Sequence, residues 1–96
     1  MKKAYWVVRA HISNSEEYAK YVSVAGDIVL NHGGKFLSRG GLQEEVEGHG
    51  FERTVLVEFP SYESAKNCYK STEYQNALKY TKESSSRYFS IVEGLY

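Results

Sequence analysis

Ala4-Tyr5-Trp6-Val7-Val8-Arg9-Ala10-His11-Ile12, followed directly by Ser13-Asn14-Ser15-Glu16-Glu17, is the stretch on which the architecture turns. The first nine positions are dominated by β-branched and aromatic residues, which favour a strand. Side chains alternate across a strand, so Ala4, Trp6, Val8, Ala10 and Ile12 share one wholly apolar face. Tyr5, Val7, Arg9 and His11 share the other, which is mixed. The residues after Ile12 change character at once. Ser13 to Glu17 supplies capping side chains and then acids, where a helix dipole favours them, and Ser13 with Glu16 has capping-box spacing. A strand that feeds a helix without a linker opens a β-α unit.

Downstream, Tyr18, Tyr21, Val22, Ala25, Ile28, Val29 and His32 recur at three- and four-residue steps, the period of an amphipathic helix, and Gly33-Gly34 stops it. Lys35 to Arg39 reads as a second strand, which Leu42 to Glu47 extends beyond a bend at Gly40-Gly41. Glu47-Gly48-His49-Gly50 forms a turn. Arg53-Thr54-Val55-Leu56-Val57-Glu58-Phe59 is a third strand, and Pro60-Ser61 leads into a helix whose inner face holds Tyr62, Ala65, Cys68 and Tyr69. Ser71-Thr72-Glu73 restarts that helix over residues 73–83, and 88–93 is the last strand.

The order β-α-β-β-α-β is the ferredoxin-like split arrangement. It predicts one α+β domain over 1–96: a four-stranded antiparallel sheet with the helices on one face. The other face keeps Tyr5, Val7, Leu37 and Leu56 or Val55. Monomers rarely leave such an apolar patch open, so a homodimer joined through the sheet face is expected.

Composition narrows the function. Lys plus Arg (12) equals Asp plus Glu (12), and the isoelectric point is near 6.8, so no basic excess marks a nucleic-acid binder. No apolar run is long enough to span a membrane. Arg9 and His11 interrupt the apolar stretch behind Lys2-Lys3, which speaks against a secretory signal and for a cytoplasmic protein. Cys68, the single cysteine, excludes an internal disulfide and a multi-cysteine metal site. No phosphate loop, nucleotide fingerprint or catalytic dyad spacing appears, and no cofactor is expected.

Tyr5-Trp6-Val7-Val8, Phe36-Leu37-Ser38-Arg39-Gly40-Gly41, Arg53 through Ser61, Ser71-Thr72-Glu73-Tyr74-Gln75 and Ile91-Val92-Glu93-Gly94 together resemble the domain of unknown function 1330 family, over essentially the whole chain. That family resembles a branch of the dimeric α/β-barrel superfamily, whose members pair two ferredoxin-like sheets face to face and include small monooxygenases, dismutases, isomerases and ligand domains of regulators. The resemblance implies a cavity between sheet and helices and, if chemistry occurs there, cofactor-independent isomerisation, decyclisation or oxygenation. Two departures stand out. His49-Gly50-Phe51-Glu52 replaces a frequent Trp and Pro, and Lys79 and Lys82 stand where family members often carry an arginine; a lysine holds an anion only as a point charge.

Several residues are candidates for a site. Arg39 and Arg53 are arginines in apolar strands, which need a carboxylate or a ligand beside them. Glu58, between Val57 and Phe59, either pairs with such an arginine or forms the polar end of a pocket with a shifted pKa. His11 is the candidate neutral-pH acid/base, against a plain role at a strand rim. His32 and His49 have no paired metal-ligand spacing; His32 suits a helix C-terminus. Tyr18, Tyr21, Tyr69 and Tyr74 either line a cavity or fill the core, with Tyr69 and Tyr74 taken as ligand-binding candidates. Together these residues suggest binding or conversion of a small anionic, partly aromatic metabolite, with His11 or Glu58 moving a proton and Arg39 holding the anion. The rival reading is a non-catalytic binding or interaction module.

Overall fold

In the computed structural model, which describes residues 1–96, strand β1 (Ala4–Ile12) lies inside a four-stranded sheet of order β2-β3-β1-β4, with β2 Lys35–Arg39, β3 Arg53–Phe59 and β4 Ser85–Glu93. Every pairing is antiparallel. Helix α1 (Ser15–Asn31) follows β1; α2 (Tyr62–Lys70), α3 (Thr72–Ala77) and a 3-10 turn at Leu78–Tyr80 follow β3. This is the ferredoxin-like α+β arrangement expected from the element order. No helix is long and apolar enough to cross a membrane.

Alternation along β1 sorts its side chains as the sequence requires. Ala4, Trp6, Val8 and Ala10 are buried, beside Val57 and Phe59 of β3, Ala25 and Val29 of α1, and Ala65, Cys68 and Tyr74 of the later helices. Trp6 is the centre of this core. Its ring centroid lies 5.1 Å from that of Phe59, 5.0 Å from Tyr74 and 4.9 Å from Phe89, and its indole N–H donates to the Ala65 carbonyl at 3.0 Å. A buried indole needs that acceptor, so one bond fixes α2 against the sheet.

Four boundaries differ from the sequence reading. The cap of α1 is Asn14, whose side chain accepts from Glu17 N–H at 3.1 Å, not Ser13. Ser13 and Asn14 both donate backbone N–H groups to the Ser84 carbonyl, which keeps Ser13 tied to the β4 side and delays the helix by one residue. A full capping box forms instead at Ser61 and Ser64, opening α2. The helix expected over 73–83 ends early. Hydroxyls of Thr81, Ser84 and Ser85 take the carbonyls of Leu78, Tyr80 and Thr81, substituting for backbone donors that would have continued it. Strand β4 accordingly begins at Ser85 rather than 88.

The fourth difference is between β2 and β3. Residues 42–47 do not extend β2. Gly40, at φ +68°, turns the chain, and its N–H bond to Thr54 closes the ladder. Beyond it, side chains hold the segment: Gln43 bridges the Phe51 carbonyl (2.8 Å) and the Thr54 hydroxyl (2.6 Å), and Glu45 accepts from Phe51 N–H (2.9 Å) and Arg9 (3.2 Å). This segment folds over one end of the open sheet face, where Phe51 also meets Tyr88. The rest of that face carries Tyr5, Val7, Leu56 and the exposed Val92 and Leu37.

Candidate functional site

Beneath α1, on the β2-β3 side of the sheet, is a narrow pocket of about 20 Å³, room for about one water before any side chain moves, with an opening to solvent. Its sheet wall is Trp6, Val8, Phe36, Val55 and Val57; its helix wall is Tyr18, Tyr21, Val22, Ala25 and Val29; Arg39 and Arg53 complete it. Helical spacing on α1 puts 18, 21, 22, 25 and 29 on one stripe, and strand alternation puts Arg53, Val55 and Val57 on one face. Arg39 arrives by a different device. β2 pairs Phe36 with Val57 and Arg39 with Val55, with a register shift between Phe36 and Ser38. That bulge spends one extra residue, so Phe36 and Arg39 both face α1 although three positions separate them.

Neither arginine has a carboxylate partner among the ion pairs of the chain, which join Lys3 to Glu58, Arg9 to Glu45, His11 to Glu52 and Lys20 to Glu17. Arg39 lies over the Phe36 ring, 4.3 Å from its centroid, and donates to the Val22 carbonyl at 3.0 Å. Arg53 lies 5.9 Å from the Tyr18 ring centroid, and its buried Nε has no hydrogen-bond partner. Two guanidinium groups thus flank an apolar pocket with no protein anion between them. Such an arrangement suits an organic anion with an apolar body: the charge meets the forks, and the body displaces water from valines and rings.

A third guanidinium stands behind the helix wall. Arg87 of β4 donates to the Tyr74 hydroxyl at 3.1 Å and the Tyr18 hydroxyl at 3.4 Å, and lies 4.9 Å from the Tyr21 ring centroid. Tyr21 and Tyr74 share a hydroxyl hydrogen bond of 2.6 Å. Burial pushes the Tyr74 phenol far above its usual range, aided by Tyr21 and only partly countered by Arg87. Burial also works against the Arg87 charge, but Tyr21 and Tyr74 outweigh it and raise its pKa further, so Arg87 is a permanent cation.

A family model described as "Domain of unknown function (DUF1330)" matches residues 3–95. The chain belongs to that family. No curated protein sequence matches the DUF1330 chain. Among solved structures, a protein of unknown function from Rhodopseudomonas palustris is 15% identical, with a TM-score of 0.78 over 99% of this chain and 84% of that one. SnoaB, a cofactor-independent oxygenase from Streptomyces nogalater, is 8% identical, with a TM-score of 0.68 over 100% of this chain and 96% of its own. A candidate antibiotic biosynthesis monooxygenase from Nitrosomonas europaea is 16% identical, with a TM-score of 0.61 over 97% and 99% of the two chains. At these identities the likeness shows a shared fold.

Against the sequence reading, the DUF1330 structure brings Arg39 and Arg53 together and separates them from the rest. Glu58 is on the opposite sheet face, 3.6 Å from Lys3, and pairs with neither arginine. The reason is parity: Val57 and Phe59 point inward, so the residue between them points out. His11 is on the same outer face, 2.9 Å from Glu52. Glu52 is held below the usual carboxylate range by that bond and by the Ile12 N–H. Tyr74 is fully buried and Tyr69 packs on Trp6 and Phe89; neither lines the pocket, whereas Tyr18 and Tyr21 do. His32 bonds the Ile28 carbonyl at the end of α1. Lys79 and Lys82 border a surface hollow with Asn14, Glu17 and Glu83, away from the arginines. Arg87 was not among the sequence candidates. Its signal was Arg87 and Phe89 on one face of a strand otherwise spaced by Tyr88 and Ser90.

Proposed function

We propose that this DUF1330 protein binds a small organic anion, a carboxylate with an apolar, partly aromatic body, in the pocket beneath α1, as a homodimer joined through the open sheet face. The observation that carries this reading is the buried Arg53 Nε without a partner, beside a second guanidinium, Arg39, that also has no carboxylate. A buried guanidinium N–H without an acceptor costs stability, so its natural complement is a ligand anion. Arg53 supplies the inner fork and Arg39 the outer one, at the solvent side. The proposed dimer covers Tyr5, Val7, Leu56 and Val92, large side chains that the monomer leaves partly exposed.

A second reading, conversion of the bound anion without a cofactor, draws on the fold shared with SnoaB. In it, Arg39 and Arg53 stabilise a developing oxyanion. The pocket walls carry no imidazole, carboxylate, amine or thiol, so any proton transfer there falls to Tyr18 or Tyr21. His11 and Glu58 face the proposed partner instead, and their candidate catalytic role is dropped from this reading. Binding is therefore the better supported function.

Native mass spectrometry of gently purified protein tests both parts. The expected result is a dimer carrying a small anionic adduct that disappears in Arg53→Ala and Arg39→Ala. A monomer overturns the assembly. An adduct retained by both variants overturns the pocket. Oxygen uptake on adding back the released adduct separates conversion from binding.

A further inference from the structure

The hydroxyl groups behind the pocket outnumber their acceptors. An arginine only donates, so the Arg87 bonds to Tyr18 and Tyr74 use oxygen lone pairs and leave both phenolic protons to be placed. Tyr21 and Tyr74 satisfy one proton between them, whichever of the two donates. Tyr18, 3% exposed, makes no hydrogen bond in which it is the donor. One proton of Tyr18 and one of the Tyr21–Tyr74 pair therefore lack an acceptor within the chain. A buried donor such as the Tyr18 hydroxyl is costly and rarely left alone. Tyr18 and Tyr21 are also the two residues of this network that line the pocket.

We infer that Tyr18, with Arg87 behind it, forms a second polar subsite that accepts an oxygen on the body of the bound anion. This rests on the pocket reading above and specifies it: the ligand is not a plain carboxylate but a hydroxy- or oxo-carboxylate. Its acid group meets Arg39 and Arg53, and its second oxygen, a phenol, enol or carbonyl, accepts from the Tyr18 hydroxyl. Arg87 polarises that hydroxyl by donating to its oxygen, which strengthens Tyr18 as a donor. The cation also lies within one residue of any negative charge that gathers on the ligand oxygen, so the subsite favours the anionic form of a phenol or enol. Arg87 acts through Tyr18 and Tyr74 and is a positioning residue.

Trp6, the single tryptophan, sits in the sheet wall of the pocket and reports occupancy by its fluorescence. The probes are benzoate and the three monohydroxybenzoates, which differ only in the presence and placement of the second oxygen. The expected result is that at least one hydroxybenzoate binds about tenfold more tightly than benzoate, as one charge-assisted hydrogen bond allows. Tyr18→Phe, which keeps the ring, erases that advantage, so that hydroxybenzoate and benzoate bind the variant alike. Arg87→Lys keeps the charge but loses the fork, and reduces the preference for the hydroxybenzoate over benzoate. The inference is overturned if no hydroxybenzoate gains over benzoate, as when a water serves Tyr18, or if the gain survives both variants. Failure of the pocket reading looks different: neither acid class binds the unaltered protein, or both bind Arg53→Ala unchanged.

Discussion

The Arg53 guanidinium occupies the space that a Cβ on Gly40 would fill, its Nη1 falling inside contact distance of that position and its Cζ at 2.9 Å. Gly40 also sits at φ +68°, where a side chain is strained. The two requirements act together. Gly40→Ala is expected to destabilise the fold by about 1–2 kcal/mol and to weaken binding of any carboxylate in the pocket at least tenfold, because Arg53 must move. Urea unfolding and a Trp6 fluorescence titration check both numbers. Unchanged affinity would show that the Arg53 placement does not matter.

Gly26 gives the opposite combination. It lies inside α1, and a Cβ there would meet both terminal nitrogens of Arg39 at 3.1 Å. Those atoms are the far end of a flexible side chain and can swing away. Alanine in a helix interior is favoured over glycine by about 1 kcal/mol. Gly26→Ala is therefore expected to raise the unfolding midpoint while lowering anion affinity, since Arg39 leaves its place over Phe36. A variant that gains stability and keeps full affinity would remove Arg39 from the site.

Much of this arrangement was legible in the sequence, for a physical reason. Strand parity sorts Trp6 and Val8 from Tyr5 and Val7 with no tertiary information, and the three-and-four spacing from Tyr18 to Val29 identifies the helix stripe. The same parity rule, carried through β3, places Arg53 inside and Glu58 outside; the discomfort of a carboxylate between Val57 and Phe59 is relieved by facing away from them. Arg39 is another matter. Its inward direction depends on the bulge around Leu37, a one-residue irregularity that composition does not announce. Nor could sequence bring Arg87 to Tyr18 and Tyr74, which converge from β4, α1 and α3 only after the sheet has closed. The segment after Gly41 misled because Gln43 and Glu45 use side chains where a strand would use its backbone.

The open face offers a direct test of assembly. Val7 pairs with Leu56 at the middle of that face, half-buried in the single chain and away from the segment that covers its end. Val7→Asp would place an unpaired carboxylate at the centre of a face-to-face dimer, at a cost of several kcal/mol there and little in the isolated chain. Sedimentation velocity is expected to show a dimer for the unaltered protein and a monomer for the variant, with circular dichroism unchanged. A variant that dimerises normally would place the interface elsewhere.

Alkaline pH should expose the buried core. Burial pushes the Cys68 thiol up to about 12, and the Tyr74 phenol is raised too. In the unfolded chain both groups lose their protons near their ordinary values, so between the unfolded and folded pKa the native state holds more protons than the unfolded one. Stability then falls as pH rises, by about 1.4 kcal/mol per pH unit for each such group. The decline is expected to begin near pH 9 with Cys68 and to steepen above pH 10 as Tyr74 joins. Cys68→Ala removes the first component and should flatten the curve between about pH 9 and 10, leaving the steeper part in place. Urea unfolding across that range measures the slope. A slope that does not change in Cys68→Ala would mean that the thiol is not held protonated by burial, and a thiol reagent reacting freely with the native protein at neutral pH would say the same.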